Sequence, residues 1–289
     1  MGAGASTAPP SSAGMAPVEP AYADLVQALR PGAADPRSAA RSIAALARRD
    51  AVAREQLVGH GVLAPLLALL HEGSGDEIKP VATREAGCGQ GGNAALRALA
   101  RDCPANKAGI VDAGAIKPLA QLLQCGSETA QEQAAAALRN LGGHRTQRFV
   151  EEGAVAPLVA LLGSGSAPGQ REQAAAALRN FAAFEDGSRL AIVRAGAVAP
   201  LVALLRCRAD STVEEAAAAL QNLARHPLNR PAMADAISPL MLVVESATTS
   251  DGARDQATAA LRNLHVSGVD AIHPLPSGGH VVEVSAGRI

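Results

Sequence analysis

Apolar positions along the middle of the chain recur at two spacings, one nested in the other. Within the run EQAAAALRNL, Ala134, Ala137, Leu138 and Leu141 fall at i, i+3, i+4 and i+7. That spacing lines one side of an α-helix and does not fit the period of two of a strand. On the longer scale the pattern itself returns: EQAAAALRN stands letter for letter at residues 132–140 and 172–180. GAIKPL, starting at Gly114, comes back as GAVAPL from Gly153 and again from Gly196, with looser copies GVLAPL from Gly61 and AISPL from Ala236. Pro118, Pro157, Pro200 and Pro239 lie 39, 43 and 39 residues apart, and Asn140, Asn180, Asn222 and Asn263 lie 40, 42 and 41 apart. A fixed period of this length marks an array of like units, each too small to bury its apolar face alone and stable only when stacked.

Each unit predicts three helices. A short first helix, over 106–112 or 188–194, ends at a Gly suited to a left-handed corner. A second begins near the Pro, whose missing N–H is harmless in a first turn, and runs on as LVALL at 158–162. After a polar Gly/Ser turn, the third helix carries the alanine run. In the fourth full unit, Ser211 followed by Glu214 predicts a capping box at the start of that helix. The small side chains of the third helices let neighbours approach closely. Five such units fit between about residues 38 and 265, with a short helix over 22–30. AARSIAAL at 39–46 reads as a lone third helix covering the N-terminal end. The chain therefore divides into a Gly/Ala/Pro/Ser-rich leader (1–20), an all-α repeat domain (21–265) and an irregular tail (266–289). An insertion near 77–92 makes Pro65 to Leu96 span 31 residues where Pro118 to Leu138 spans 20.

Composition agrees with this and narrows the chemistry. Of 289 residues 48% are hydrophobic but only 1% aromatic, so the core is built from Ala, Leu and Val. A net charge of −1 gives no bulk attraction to nucleic acid or an acidic membrane, and few rings are available to stack on bases. Cys88, Cys103, Cys125 and Cys207 form no CxxC pair and read as free thiols; the seven histidines are scattered singly. No catalytic, metal or cofactor signature is found. Gly87, Gly89 and Gly92 satisfy GxGxxG, but no strand precedes them, so they read as a loop rather than a dinucleotide site. MGAGAS makes Gly2 a lipidation candidate by the myristoylation pattern. A single acyl chain holds a membrane only marginally, and no Cys or basic cluster lies nearby. With no apolar run of membrane-spanning length and no secretory leader, the expected location is the cytoplasm, with the nucleus second.

The pattern NKAGIVDAGAIKPLAQLL…EQAAAALRNL resembles the armadillo repeat, within that family most like vacuolar and plant-type members. The resemblance implies a right-handed armadillo-repeat superhelix, an α-solenoid whose third helices line a concave groove, and a non-catalytic protein-binding scaffold that holds an extended partner segment. Vacuolar members also carry cysteines near the N-terminal Gly, which this chain lacks. Asn140 shares a helix face with Gln133 and Ala136, away from Leu138 and Leu141; Asn180, Asn222 and Asn263 repeat it. A carboxamide both donates and accepts, so a ladder of four can pair with a peptide backbone, the role the resemblance implies for this position. The other reading is that each Asn, lying near a helix end, satisfies backbone groups. Ala45 and Ala98 take the ladder position at the N-terminal end. Arg97, Arg139, Arg179 and Arg262 each precede it. They form either a basic stripe favouring an acidic or phosphorylated ligand or charges that complement helix dipoles, with Glu132, Glu172, Glu214 and Glu215 near enough to neutralise part of it. Nuclear-import members place Trp where this chain has Ala136, Ala176, Ala218 and Ala259, which disfavours a transport adaptor. The remaining alternative is substrate recognition for a ubiquitin ligase whose catalytic part is supplied in trans.

Overall fold

The computed structural model describes residues 22–30, 32–71, 90–143 and 145–265. Gly2, the leader, most of the insertion (with Gly87, Gly89 and Cys88) and the tail lie outside the described residues. Among those described there are sixteen α-helices and no strand. A first helix, α1 (Tyr22–Gln27), packs on α2 (Pro36–Arg49), the predicted lone third helix. Three-helix units follow: α3 (Ala51–Gly59), α4 (Leu63–His71) and α5 (Gln90–Leu99); α6 (Pro104–Asp112), α7 (Ile116–Cys125) and α8 (Glu128–Leu141); α9 (Gln147–Glu151), α10 (Val155–Leu161) and α11 (Pro168–Ala182); α12 (Asp186–Arg194), α13 (Val198–Leu204) and α14 (Asp210–Ala224). The last unit has two 3₁₀ segments, Pro227–Asn229 and Pro231–Ala236, then α15 (Ile237–Glu245) and α16 (Asp251–Asn263). The third helices α2, α5, α8, α11, α14 and α16 pack side by side in that order and form one continuous layer. No single helix among the described residues is long and apolar enough to cross a membrane.

The corner after each first helix is set by one glycine. Gly61, Gly114, Gly153 and Gly196 have φ of 79°, 82°, 79° and 81°. In the second unit Gly114 N–H donates to Val111 O (3.0 Å) and Ala115 N–H to Ile110 O (3.3 Å), a Schellman closure in which the buried Ala115 packs toward the buried Ile110. The same pair of bonds recurs at Gly61, Gly153 and Gly196. In the fifth unit Asp235 stands at the glycine position and does not take positive φ; there the chain runs through 3₁₀ turns directly into α15. The missing glycine explains the missing corner.

Close packing of the third helices rests on alanine. Ala134 to Ala137, Ala174 to Ala177 and Ala216 to Ala219 are all buried. The predicted stripe Ala134, Ala137, Leu138 and Leu141 is therefore core, but the burial extends all round the helix. Ala136, Ala176 and Ala218, which the helical wheel turns away from the core, are 1%, 0% and 5% exposed. Parallel neighbours on both sides close over a methyl group that a helical wheel alone leaves on the open face. Phe149 of α9 and Phe181 of α11, both fully buried within the third unit, lie with ring centroids 4.4 Å apart and planes tilted by 40°.

Two local expectations change. The capping box at Ser211 and Glu214 does not form, because α14 begins two residues earlier than it requires, at Asp210, with Ala209 at the cap. Ser211 Oγ instead donates to Glu172 Oε2 of the preceding unit at 2.8 Å. Side-chain caps are found at Ser127 and Ser250, whose Oγ atoms accept from Ala130 and Ala253 N–H, each at 3.3 Å. Gly92, last of the GxGxxG glycines, lies inside α5, where a Cβ would meet Leu70 Cδ2 at 3.1 Å. It lets α5 settle against α4 and is part of helix packing. Because nothing lies within 4 Å of a Cβ at Gly153, Gly153→Ala is predicted to lose about 1–2 kcal/mol through backbone conformation alone. Urea unfolding measures this; an unchanged midpoint would show that the corner does not need glycine.

Candidate functional site

The structure places all four predicted asparagines in one register near the C-terminal ends of successive third helices, each half-buried. Every one ties its unit to the one before. Asn140 Nδ2 donates to Arg97 O (3.1 Å), Asn180 Nδ2 to Arg139 O (2.8 Å), Asn222 Nδ2 to Arg179 O (3.1 Å) and Asn263 Nδ2 to Gln221 O (3.0 Å). The acceptors are backbone carbonyls in the last turn of the preceding third helix, groups that have no partner within their own helix. Since a carbonyl can only accept, the amide nitrogen must face it, which fixes the orientation of each carboxamide. The backbone-satisfying reading of these residues is thus realised, although across the repeat boundary. One N–H of each carboxamide is engaged, and the second has no acceptor among the described residues. The Oδ1 atoms divide into two classes. Arg139 holds that of Asn140 (3.5 Å) and Arg179 that of Asn180 (3.3 and 3.2 Å); those of Asn222 and Asn263 accept nothing from the described residues.

First helices supply the remaining ties. Asn106 Nδ2 donates to Leu99 O and Arg54 O, both at 3.1 Å, and Asn229 Nδ2 to Leu223 O (3.0 Å) and Arg189 O (3.2 Å). Arg189 closes the end of α11 by donating to Ala182 O (2.7 Å) and Ala183 O (2.8 Å). These buried donors were missed in the sequence. The signal for them is a polar residue repeating early in the first helix.

The charged residues sort into two stripes. Toward the N-terminal ends of the third helices, Glu132 lies against Gly169, Glu172 against Ser211 and Glu214 against Gly252. Each contact is to the second residue of the next third helix, where backbone N–H groups are free and the helix dipole favours a carboxylate. A Cβ at Gly169 or Gly252 would come within 2.8 Å and 2.7 Å of those carboxylate oxygens. The small residue is what admits the glutamate. Toward the C-terminal ends run Arg48, Arg97, Arg139 and Arg179. Arg179 pairs with Glu215 at 2.7 Å. Burial pushes the Glu215 carboxyl up, as do Glu214 and Glu172, with Arg179 and Arg139 opposing. Arg97 is pulled below the ordinary arginine range by burial first and then by the guanidinium groups of Arg48 and Arg139, Glu132 partly offsetting them. Arg262, exposed on α16, ends the stripe. Cys103, Cys125 and Cys207 are free thiols, and no group of His, Cys, Asp and Glu among the described residues has a geometry that could hold a metal.

If the carboxamides are ties, Asn180→Ala should lower stability by about 1 kcal/mol, the net value of a hydrogen bond, and leave Arg139 O without its donor. Urea unfolding compared with wild type decides it. An unchanged midpoint would mean that water replaces the tie without loss.

The sequence model of the armadillo/beta-catenin-like repeat matches residues 103–142, 144–183 and 186–225, which are the second, third and fourth units. A search of curated proteins with the sequence gives no significant match. Among solved structures, the designed armadillo repeat protein YIII(Dq)4CqI superposes with a TM-score of 0.74 at 27% identity, over 84% of this chain and 99% of that one. An engineered protein superposes with 0.76 at 29% identity, over 86% and 97%. The designed armadillo repeat protein YIII(Dq.V1)4CPAF, solved in complex with the peptide (KR)4, gives 0.72 at 25% identity, over 85% and 100%. Three consecutive repeats matched in sequence, set within a superhelix that most of the chain shares with designed armadillo repeat proteins, show that residues 103–225 are armadillo repeats within an all-α solenoid.

Proposed function

We propose that the chain is a non-catalytic scaffold, acting in the cytoplasm, that holds an extended segment of a partner protein along the layer of third helices. The observation that carries this is the register of Asn140, Asn180, Asn222 and Asn263, each with an N–H left over after its tie to the preceding unit. Third helices packed ~8–10 Å apart bring one carboxamide to about every third residue of a peptide that advances ~3.3–3.6 Å per residue. Alternate backbone groups can then be met without reading side chains, so affinity comes from the ladder and selectivity from its flanks. The bound peptide of the designed relative supports a peptide ligand in general. A lysine-rich import signal fits this chain poorly. It has no Trp, and the alanines at the places of the aromatic walls in α8, α11 and α14 are buried beneath neighbouring side chains. A ligase role needs a catalytic partner, and no feature of the groove favours it over simple scaffolding.

Peptides selected from a displayed random library test this, with affinities measured for wild type and for Asn140→Ala/Asn180→Ala/Asn222→Ala at a temperature where circular dichroism shows both folded. Three lost backbone hydrogen bonds at about 0.5–1.5 kcal/mol each predict at least a tenfold weakening. Equal affinity for the two proteins would contradict the proposal.

A further inference from the structure

The basic stripe is not uniform along the array. Arg97 and Arg139 lie one residue before the ladder position on α5 and α8, and the Asn140 to Arg97 O and Asn180 to Arg139 O bonds fix their register. On α2 the ladder position is Ala45, and Arg48, one turn on, supplies the charge next to Arg97. Among the described residues, none of these three guanidinium groups has an ion pair. Two carboxylates face them: Glu132 offsets part of the charge of Arg97, and Glu215, paired with Arg179 at 2.7 Å, also acts on Arg139, so three guanidinium groups stand against two carboxylates of which one is already paired. Beyond α8 the stripe fades. Arg179 is neutralised by Glu215, and Gln221 takes the corresponding place on α14. The contiguous run of positive charge therefore lies in the N-terminal half, where Arg48 is exposed and Arg97 and Arg139 are half-exposed, with Arg262 set apart from it on α16.

We propose that the N-terminal half of the groove, over α2, α5 and α8, binds the acidic part of the partner: clustered carboxylates or a phosphorylated side chain seated among Arg48, Arg97 and Arg139. Charge complementarity identifies the occupant. Three like charges held by rigid helices repel one another until an anion lies between them, and planar guanidinium groups pair in two-pronged fashion with carboxylate or phosphate. The inference rests on the peptide-groove reading and adds polarity to it. The N-terminal end selects negative charge, and the C-terminal end, where the Asn222 and Asn263 oxygens accept nothing from the described residues, meets backbone.

Fluorescence anisotropy with three labelled probes tests this: (Glu-Ser)4, the same peptide with phosphoserine, and (KR)4. The proteins are wild type, Arg48→Gln/Arg97→Gln/Arg139→Gln, Asn140→Ala/Asn180→Ala/Asn222→Ala, and Arg194→Gln, an exposed arginine on a first helix, as control; thermal melts confirm that each is folded. Wild type should bind an acidic probe at least about tenfold tighter than (KR)4. The arginine variant should lose that preference, and Arg194→Gln should keep it. Tighter binding of the phosphorylated probe than of (Glu-Ser)4 identifies phosphate as the preferred source of charge; equal binding identifies carboxylates. Equal or tighter binding of (KR)4, no saturable binding of either acidic probe, or an equal loss in Arg194→Gln overturns the proposal. Binding of (KR)4 that depends on the asparagines would leave the groove standing while removing its acidic preference. Acidic binding that depends on the arginines alone would do the reverse.

Discussion

The carbonyls at the ends of the third helices have no partner within their own helix, and from α2 to α14 the following unit supplies donors to them. Asn140, Asn180, Asn222 and Asn263 reach back to such carbonyls from the following third helix, while Asn106, Arg189 and Asn229 reach them from the following first helix. Left unmet, each buried group would cost about 1–3 kcal/mol. Stacking is therefore specified by hydrogen bonds as well as by burial of apolar faces. Alanine makes these bonds reachable, because larger side chains in the runs would hold the helices beyond the span of a carboxamide. At the opposite helix ends the glutamates do the complementary job, each resting on the first turn of the next third helix. The three boundaries between α8 and α16 are thus clamped at both ends of their long helices.

This has a functional consequence. The residues best placed to hold a peptide backbone are already part of the spine. On the proposed peptide-groove reading, a ligand would meet carboxamides whose rotation has been fixed by the fold, so little side-chain freedom would be lost on binding. The same arrangement would couple binding to rigidity, since a residue touching a partner on one side and the preceding repeat on the other would transmit strain between them. It also separates two kinds of residue along the groove. The asparagines are uniform and follow the repeat. The charges are irregular, with open arginines at one end, a closed Arg179–Glu215 pair in the middle and Gln221 beyond.

Much of the fold was legible because it repeats. A period near forty, a Gly that must turn left-handed and an alanine run are local signals, and the helices, corners and core leucines follow from them. Asp235 in place of glycine was legible in the same way once its consequence was known. What could not be read was whatever depends on the neighbouring unit. Ala136, Ala176 and Ala218 look open on one helix and are closed by the next. Ser211 has the sequence of a cap, yet its hydroxyl is drawn to Glu172 across the boundary. The asparagines posed two readings, ligand or backbone, and a single helix cannot choose between them. The acceptor lies some forty residues away, where no local rule looks. The pairing of Arg179 with Glu215, and so the interruption of the basic stripe, is likewise a contact between units that spacing alone did not place.

The most direct measurement is of the carboxamides themselves, by nitrogen-15-edited NMR with exchange of the side-chain protons of Asn140, Asn180 and Asn222 in the free and peptide-bound protein. The account predicts that in the free protein one Nδ2 proton of each pair is protected, the one donated to Arg97, Arg139 or Arg179 O, while its partner exchanges fast. On addition of a peptide ligand the second proton becomes protected too. Two fast-exchanging protons in the free protein would remove the ties between repeats, and a second proton unmoved at saturating peptide would show that the ligand lies elsewhere.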